Sequence, residues 1–277
     1  MTGLKREQLA GMGTHYKFYP LEYFLKCQAE LGLQNIEVWC ARPHFLLDDY
    51  GYEDPVAFQK KVESYGLHIC AFSPECTVYN YNLCSYEPTA QKHSMGYFKK
   101  GIEAAASVKA STMVINCCGG ARNEEPQRIF ERAVKNLREL SAIAEDNGVV
   151  LAVETVRKDD SIIMNTLPEL DALLKAVDSP SVQASLDLTV AGLAGESMEA
   201  WFQILGDCVR HIRFVDGRPH GRLVWGEGLR PIEDCIKSLN QHHYSGFLSL
   251  AINDAKYLDD PYAADQKNMS ALEPYLV

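Results

Sequence analysis

Short apolar runs alternate with longer amphipathic stretches along the whole chain, a rhythm that predicts parallel βα units rather than a sandwich or a bundle. The strands expected from the runs are GMGTHYK from Gly11, NIEVWC from Asn35, LHICAFS from Leu67 and STMVINCC from Ser111, followed by VVLAVETV from Val149, VQASLDL from Val182, VRHIRFVD from Val209 and FLSLAIND from Phe247. Turn pairs precede several of them: Asn147-Gly148, Ser179-Pro180 and Ser245-Gly246. The stretches between are helical in pattern. In EPQRIFERAVKNLRELSAIAEDNG, the residues Ile129, Ala133, Leu137, Leu140 and Ile143 form one apolar stripe on a charged helix, as expected of a helix lying on a sheet. About eight such units predict a closed (β/α)8 barrel of the α/β class, a TIM barrel. A doubly wound open sheet fits less well, because the first βα turn lacks a GxGxxG loop and the polar strand ends are spread over several strands.

No linker, composition shift or repeat interrupts this rhythm, so one domain spanning 1–277 is expected. The net charge of −10 and the absence of a lysine- or arginine-rich block argue against nucleic acid or an anionic membrane as partner. No apolar run approaches the roughly 18 residues of a membrane span, and no signal peptide is evident. The nine cysteines lie mostly in apolar runs, so they read as small buried hydrophobes in a reducing, cytoplasmic setting. A small-molecule partner is the remaining expectation.

In such a barrel the chemistry sits at the carboxyl ends of the strands. Glu154 and Asp187 each close an apolar run, and a carboxylate so placed needs a partner, either a ligand or an ion pair with Arg157 or Arg213. Trp39, His44, Glu75 and Tyr81 lie on the ends of the second and third strands, where an aromatic plane beside polar groups suits a polyol. His211 and Arg213 alternate on strand seven and so share a face. Arg213, Arg218 and Arg222 could clamp an anionic or highly hydroxylated ligand, with surface ion pairs as the plainer reading of Arg218 and Arg222. His242-His243 is assigned no chemistry. The chain has no GxSxG, HExxH or P-loop.

Taken in order, NIEVWCARPH from Asn35, SPECTVYNYN from Ser73, VET at Glu154, SLDL at Asp187, RHIRFVDG from Arg210 and WGEG from Trp225 resemble the xylose-isomerase-like sugar isomerases and epimerases. Within these the chain is most similar to the fructoselysine 3-epimerase and tagatose 3-epimerase group, nearly end to end. The resemblance implies a divalent metal, usually manganese, held by Glu, Asp, His and Glu on strands five to eight, the two glutamates moving a proton on either face of the substrate. Glu154 and Asp187 match the first two ligands, whereas the third falls on Arg213 and the fourth on Ala251. Asp160 matches a substrate-contacting acid. The resemblance also implies a homodimer or tetramer acting on a sugar.

Three functions follow from that mixture. The chain acts as a sugar isomerase or epimerase on a ketose or glycosylated small molecule, with metal on Glu154, Asp187 and His211. Alternatively Arg213 replaces the metal and Glu154 is the single base of a metal-independent lyase or one-face proton shuffle. In the third, the barrel is a sugar-binding or regulatory subunit without chemistry.

Overall fold

A computed structural model describes residues 3–48, 51–76, 81–117, 119–218 and 221–277. Its strands are β1 (Leu9–Met12), β2 (Asn35–Cys40), β3 (His68–Pro74), β4 (Thr112–Asn116), β5 (Val150–Glu154), β6 (Val182–Asp187), β7 (Val209–Arg213) and β8 (Phe247–Leu250). They pair in parallel in chain order, and the alignment of Leu9 with Leu248 and of Gly11 with Leu250 closes the ring. The expected α/β barrel is therefore the observed one.

Helices α1 (Leu21–Glu30), α2 (Pro55–Glu63), α3 (Pro88–Ser107), α4 (Pro126–Asp146), α5 (Leu167–Val177), α6 (Leu188–Leu193), α7 (Met198–Leu205), α8 (Ile232–Gln241) and α9 (Pro261–Leu272) follow the strands. Their starts are written locally. Proline occupies the first turn of α2, α3, α4, α5 and α9, where no N–H partner is lost. Thr166 and Glu169 form a capping box on α5, and Asp54 accepts from the first amides of α2. On α4, Ile129, Ala133, Leu137 and Leu140 are fully buried against the barrel, each large aliphatic stabilising by about 1.5–3 kcal/mol.

Several strands end earlier than the apolar pattern suggests, β1 and β8 by the most. β1 stops at Met12 and the chain curls into a 3₁₀ turn over Gly13–Tyr16. A side chain at Gly13 would stand 2.6 Å from the His44 ring, so the close approach requires glycine. β8 stops at Leu250 because the chain beyond it bonds elsewhere: the Asn253 amide donates to the Arg222 carbonyl at 2.9 Å.

Side chains alternate along each strand, so pairs such as Glu37 and Trp39, or His211 and Arg213, share the barrel interior. Ala10, Cys70, Ala71, Val114 and Ala152, with Phe247 against them, form a compact apolar cluster of their own. Polar residues follow toward the carboxyl ends, where Glu37, Ser73, Glu154, Asp187, His211 and Arg213 are all buried.

Candidate active site at the barrel mouth

Arg213, the last residue of β7, spans the barrel interior. Its Nη1 donates to Glu154 Oε2 at 2.6 Å on β5, while Nη2 and Nε donate to Glu37 Oε1 on β2 at 3.0 and 3.3 Å. Nη2 also reaches Ser73 Oγ on β3 at 3.3 Å. Glu37 is wholly buried and receives more: the Ser73 hydroxyl donates to it, and His211 Nε2 lies 3.0 Å from its Oε2. One guanidinium thus ties four strands together.

A second pair stands beside the first. Asp187 at the end of β6 accepts from the Thr189 amide at 2.8 Å through Oδ1 and from Arg222 Nη2 through Oδ2. Arg222 is carried by the loop after β7, and Asp216 fixes that loop. Asp216 Oδ1 accepts the amides of Gly217 and Arg230 at 2.7 and 3.0 Å, and Oδ2 accepts those of Gly226 and Gly228 at 3.0 and 2.7 Å. A Cβ at Gly228 would lie 2.1 Å from Asp216 Oδ1, which explains that glycine of WGEG. Glu227, between the two glycines, pairs outward with Lys256 at 2.7 Å and Lys267 at 2.5 Å.

Burial and charge oppose one another here. At Glu37 burial disfavours the anion, but Arg213 and His211 outweigh it and hold the carboxyl well below its usual range. Asp187 is likewise held low, against burial, by Arg222 and Arg213. Glu154 goes the other way: burial, helped by the nearby Asp187 charge, pushes its carboxyl up despite Arg213. Burial disfavours the Arg213 cation, yet Glu154 and Glu37 more than compensate and the guanidinium stays charged. Glu154 is thus the carboxylate of the cluster whose proton affinity is raised rather than lowered, the direction that favours a base.

Two cavities open at this end. The first, about 260 Å³, is lined by Trp39, Glu75, Glu154, Arg213 and Arg222 among others. The second, about 380 Å³, contains Glu154, Arg157, Asp160, Asp187 and Thr189. Glu154, Arg222 and Asn253 border both. Trp39 Nε1 donates to Glu75 Oε2 at 2.8 Å, and Arg157 clasps Asp160 through Nε and Nη2 at 2.7 and 3.0 Å.

The structure therefore brings Glu154, Asp187, Arg213, Trp39, Glu75 and Asp160 to the mouth. Three other candidates lie apart from these cavities. His44 is buried, stacked on Phe24 with centroids 5.4 Å apart, and borders a separate groove between α1 and α2. Tyr81 stacks on Tyr97 at 3.5 Å. Arg218 is exposed and donates from Nε to the Glu227 carbonyl at 3.1 Å. Of the stretch from Thr77 to Asn80, and of Pro219-His220, nothing is placed, because they lie outside the described residues. Glu37 was missed as a site residue, whereas Arg222, read as a clamp or a surface ion pair, borders both cavities and pairs with Asp187. A signal for Glu37 existed: an acid inside NIEVWC, in phase with Trp39, has to face inward.

The donor set does not fit a divalent ion. Arg213 and Ala251 stand at two of the four implied ligand positions, and the carboxylates at the other two are already paired with guanidinium groups. The set Glu154, Asp187 and His211 is not assembled, since His211 faces Glu37. Among the described residues, no group of three or more His, Cys, Asp or Glu side chains is placed to hold a metal ion. Ala251 is fully buried in an apolar cluster with Met12, Val215, Leu223, Val224, Ile252 and Tyr257.

Residues 26–273 match the family described as Xylose isomerase-like TIM barrel, and the chain belongs to that family. It is 25% identical over 244 residues to fructoselysine 3-epimerase of Shigella flexneri, covering 87% of this chain and 88% of the relative. To D-psicose 3-epimerase of Enterocloster bolteae it is 27% identical over 261 residues, covering 87% and 82%. Among solved structures, 3-keto-D-glucoside 4-epimerase from E. coli matches with a TM-score of 0.78 at 16% identity, covering 96% of this chain and 99% of that one. D-allulose 3-epimerase from Methylomonas sp. matches with a TM-score of 0.79 at 19% identity, covering 99% and 98%. Sugar epimerases are thus its relatives, and the structural matches establish the shared barrel. Among the described residues no helix is long and apolar enough to cross a membrane.

Proposed function

We propose that the barrel mouth binds a keto-sugar or a glycosylated small molecule and moves a proton on the carbon beside its carbonyl, with Arg213 as the fixed positive charge of the site. The observation that carries this reading is the guanidinium standing against Glu154, on the strand end where the family pattern calls for a metal ligand. Glu154 is the base. It takes the proton as the C–H bond breaks, and the electron pair moves onto the carbonyl oxygen to give an enediolate. Of the five N–H groups of Arg213, four are spent on Glu37, Ser73 and Glu154, which leaves one on Nη1 for the developing oxyanion. The buried Glu37 cannot move away, so it holds the guanidinium in place before substrate arrives. Asp187 positions Arg222, and Trp39 and Asp160 offer a ring face and a carboxylate to sugar C–H and hydroxyl groups.

Hydrogen exchange in D₂O tests this reading, with D-fructose, D-psicose, D-tagatose and fructoselysine as probes followed by proton NMR. The wild-type protein is expected to exchange a carbon-bound hydrogen beside the carbonyl of at least one probe, and Glu154→Gln to slow that exchange by about 100-fold or more. Exchange unaffected by the substitution removes Glu154 as base. A sugar that raises the melting temperature without any exchange establishes a binding protein instead.

A further inference from the structure

Resting on that reading, we infer that Glu75 is the second acid/base residue of the site, the partner of Glu154 on the opposite side of the substrate carbon. Epimerisation requires a proton to leave one face and return to the other, and a lone Glu154 serves one face. Strand β8 offers nothing for the second: Ala251 is enclosed by the apolar cluster, and Asn253 carries an amide that does not titrate. Among the described residues, Glu75 is the other carboxylate lining the 260 Å³ cavity with Glu154 and Arg213.

Its placement follows from β3. Ser73 touches Arg213 near the strand's carboxyl end, and Glu75 comes directly after Pro74, the last residue of β3, lining the same cavity as Ser73. The guanidinium contacts Ser73 on β3 and Glu154 on β5, and Glu154 at the end of β5 and Glu75 just beyond β3 line one cavity with it. Glu75 is also held. Trp39 Nε1 fixes Oε2 at 2.8 Å, the Tyr97 hydroxyl donates to the Glu75 carbonyl at 3.2 Å, and the Trp39 ring packs on the cluster containing Ala251. Oε1 makes no hydrogen bond to the described residues and is the oxygen that would meet substrate. In the forward direction Glu154 removes the proton, electrons collect on the carbonyl oxygen, and Glu75, protonated, delivers a proton to the other face. The reverse reaction exchanges the roles.

The test separates exchange from inversion. Glu75→Gln and Trp39→Phe are compared with wild type in D₂O on any of the four sugars above that the wild type processes. With Glu75 as second acid/base, Glu75→Gln loses epimer formation by about 100-fold while Glu154 continues to wash deuterium into the starting sugar. Trp39→Phe, which keeps the ring and frees the carboxylate, falls between the two. A Glu75→Gln protein that melts like wild type and forms epimer at the wild-type rate overturns the assignment. So does a variant with raised KM but unchanged kcat, because that is the signature of a binding contact. If wild type washes in deuterium but forms no epimer, Glu75 is not a second acid/base while the proton-transfer reading stands. No wash-in by wild type overturns that reading, and this assignment with it.

Discussion

The two sides of the barrel mouth solve the burial of their side chains in opposite ways. Around β2, β3, β5 and β7 the interior is a buried polar network in which Glu37, His211, Arg213, Ser73 and Glu154 bond to one another. Around β1 and β8 it is apolar, with Met12, Ala251 and Ile252 packed beneath Trp39. The contrast teaches how a charged site can be rewritten. Where the resemblance implies metal ligands the chain carries Arg213, whose guanidinium supplies the counter-charge for Glu37 and Glu154, and Ala251, which packs in hydrocarbon beyond β8.

Breaking the polar side should have the largest effect. Arg213→Met leaves Glu37 and Glu154 buried without their cation, so a loss of about 3–5 kcal/mol is expected in urea unfolding at pH 7. A loss below about 1 kcal/mol would mean that the network relaxes and the guanidinium is not what holds these strands. The reciprocal change, Ala251→Glu, drives a carboxylate into the apolar side and should cost about 3 kcal/mol in the same assay. If the variant is as stable as wild type, water or a cation reaches β8 and the apolar side is not closed.

The smallest expected effect sharpens the comparison through pH. His44 sits edge-on to Trp39, at 6.1 Å between ring centroids, and burial pushes its pKa down to about 4 from the usual 6.5. A group with a depressed folded pKa stabilises above its unfolded pKa, and that stability fades as pH falls from 6.5 toward 4. Roughly 2 kcal/mol should be lost between pH 8 and pH 5, and His44→Gln should flatten that limb. Glu37, also depressed, adds its loss only below the ordinary carboxylate range. An acid limb unchanged by His44→Gln would place the titration elsewhere.

Much of the barrel was legible because each strand and helix is a local object. NIEVWC is a strand by pattern and β2 by structure, and the α4 stripe packs as its period requires. The ends of β1 and β8 were not legible, since they depend on His44 against Gly13 and on the Arg222 carbonyl, groups distant in sequence. Glu154, Asp187 and Arg213 could be picked out as strand-end charges. Their pairing was legible only in part: Glu154 takes Arg213, one of its two expected partners, but Asp187 takes Arg222, and Arg157 turns to Asp160 three residues away.

The sequence by itself determined the βα order, the carboxyl-end location of the charges and the presence of arginine and alanine where a metal ligand pattern would continue, because periodicity and residue identity are properties of the chain. Only the tertiary structure decided that Arg213 spans from β7 to β2, β3 and β5, that Glu37 is its main anchor, and that Glu75 and Glu154 face one cavity. The reason is physical. A guanidinium distributes its N–H groups among whatever acceptors the closed barrel brings within about 3 Å, and the acceptors of Arg213 lie up to 176 residues from it along the chain.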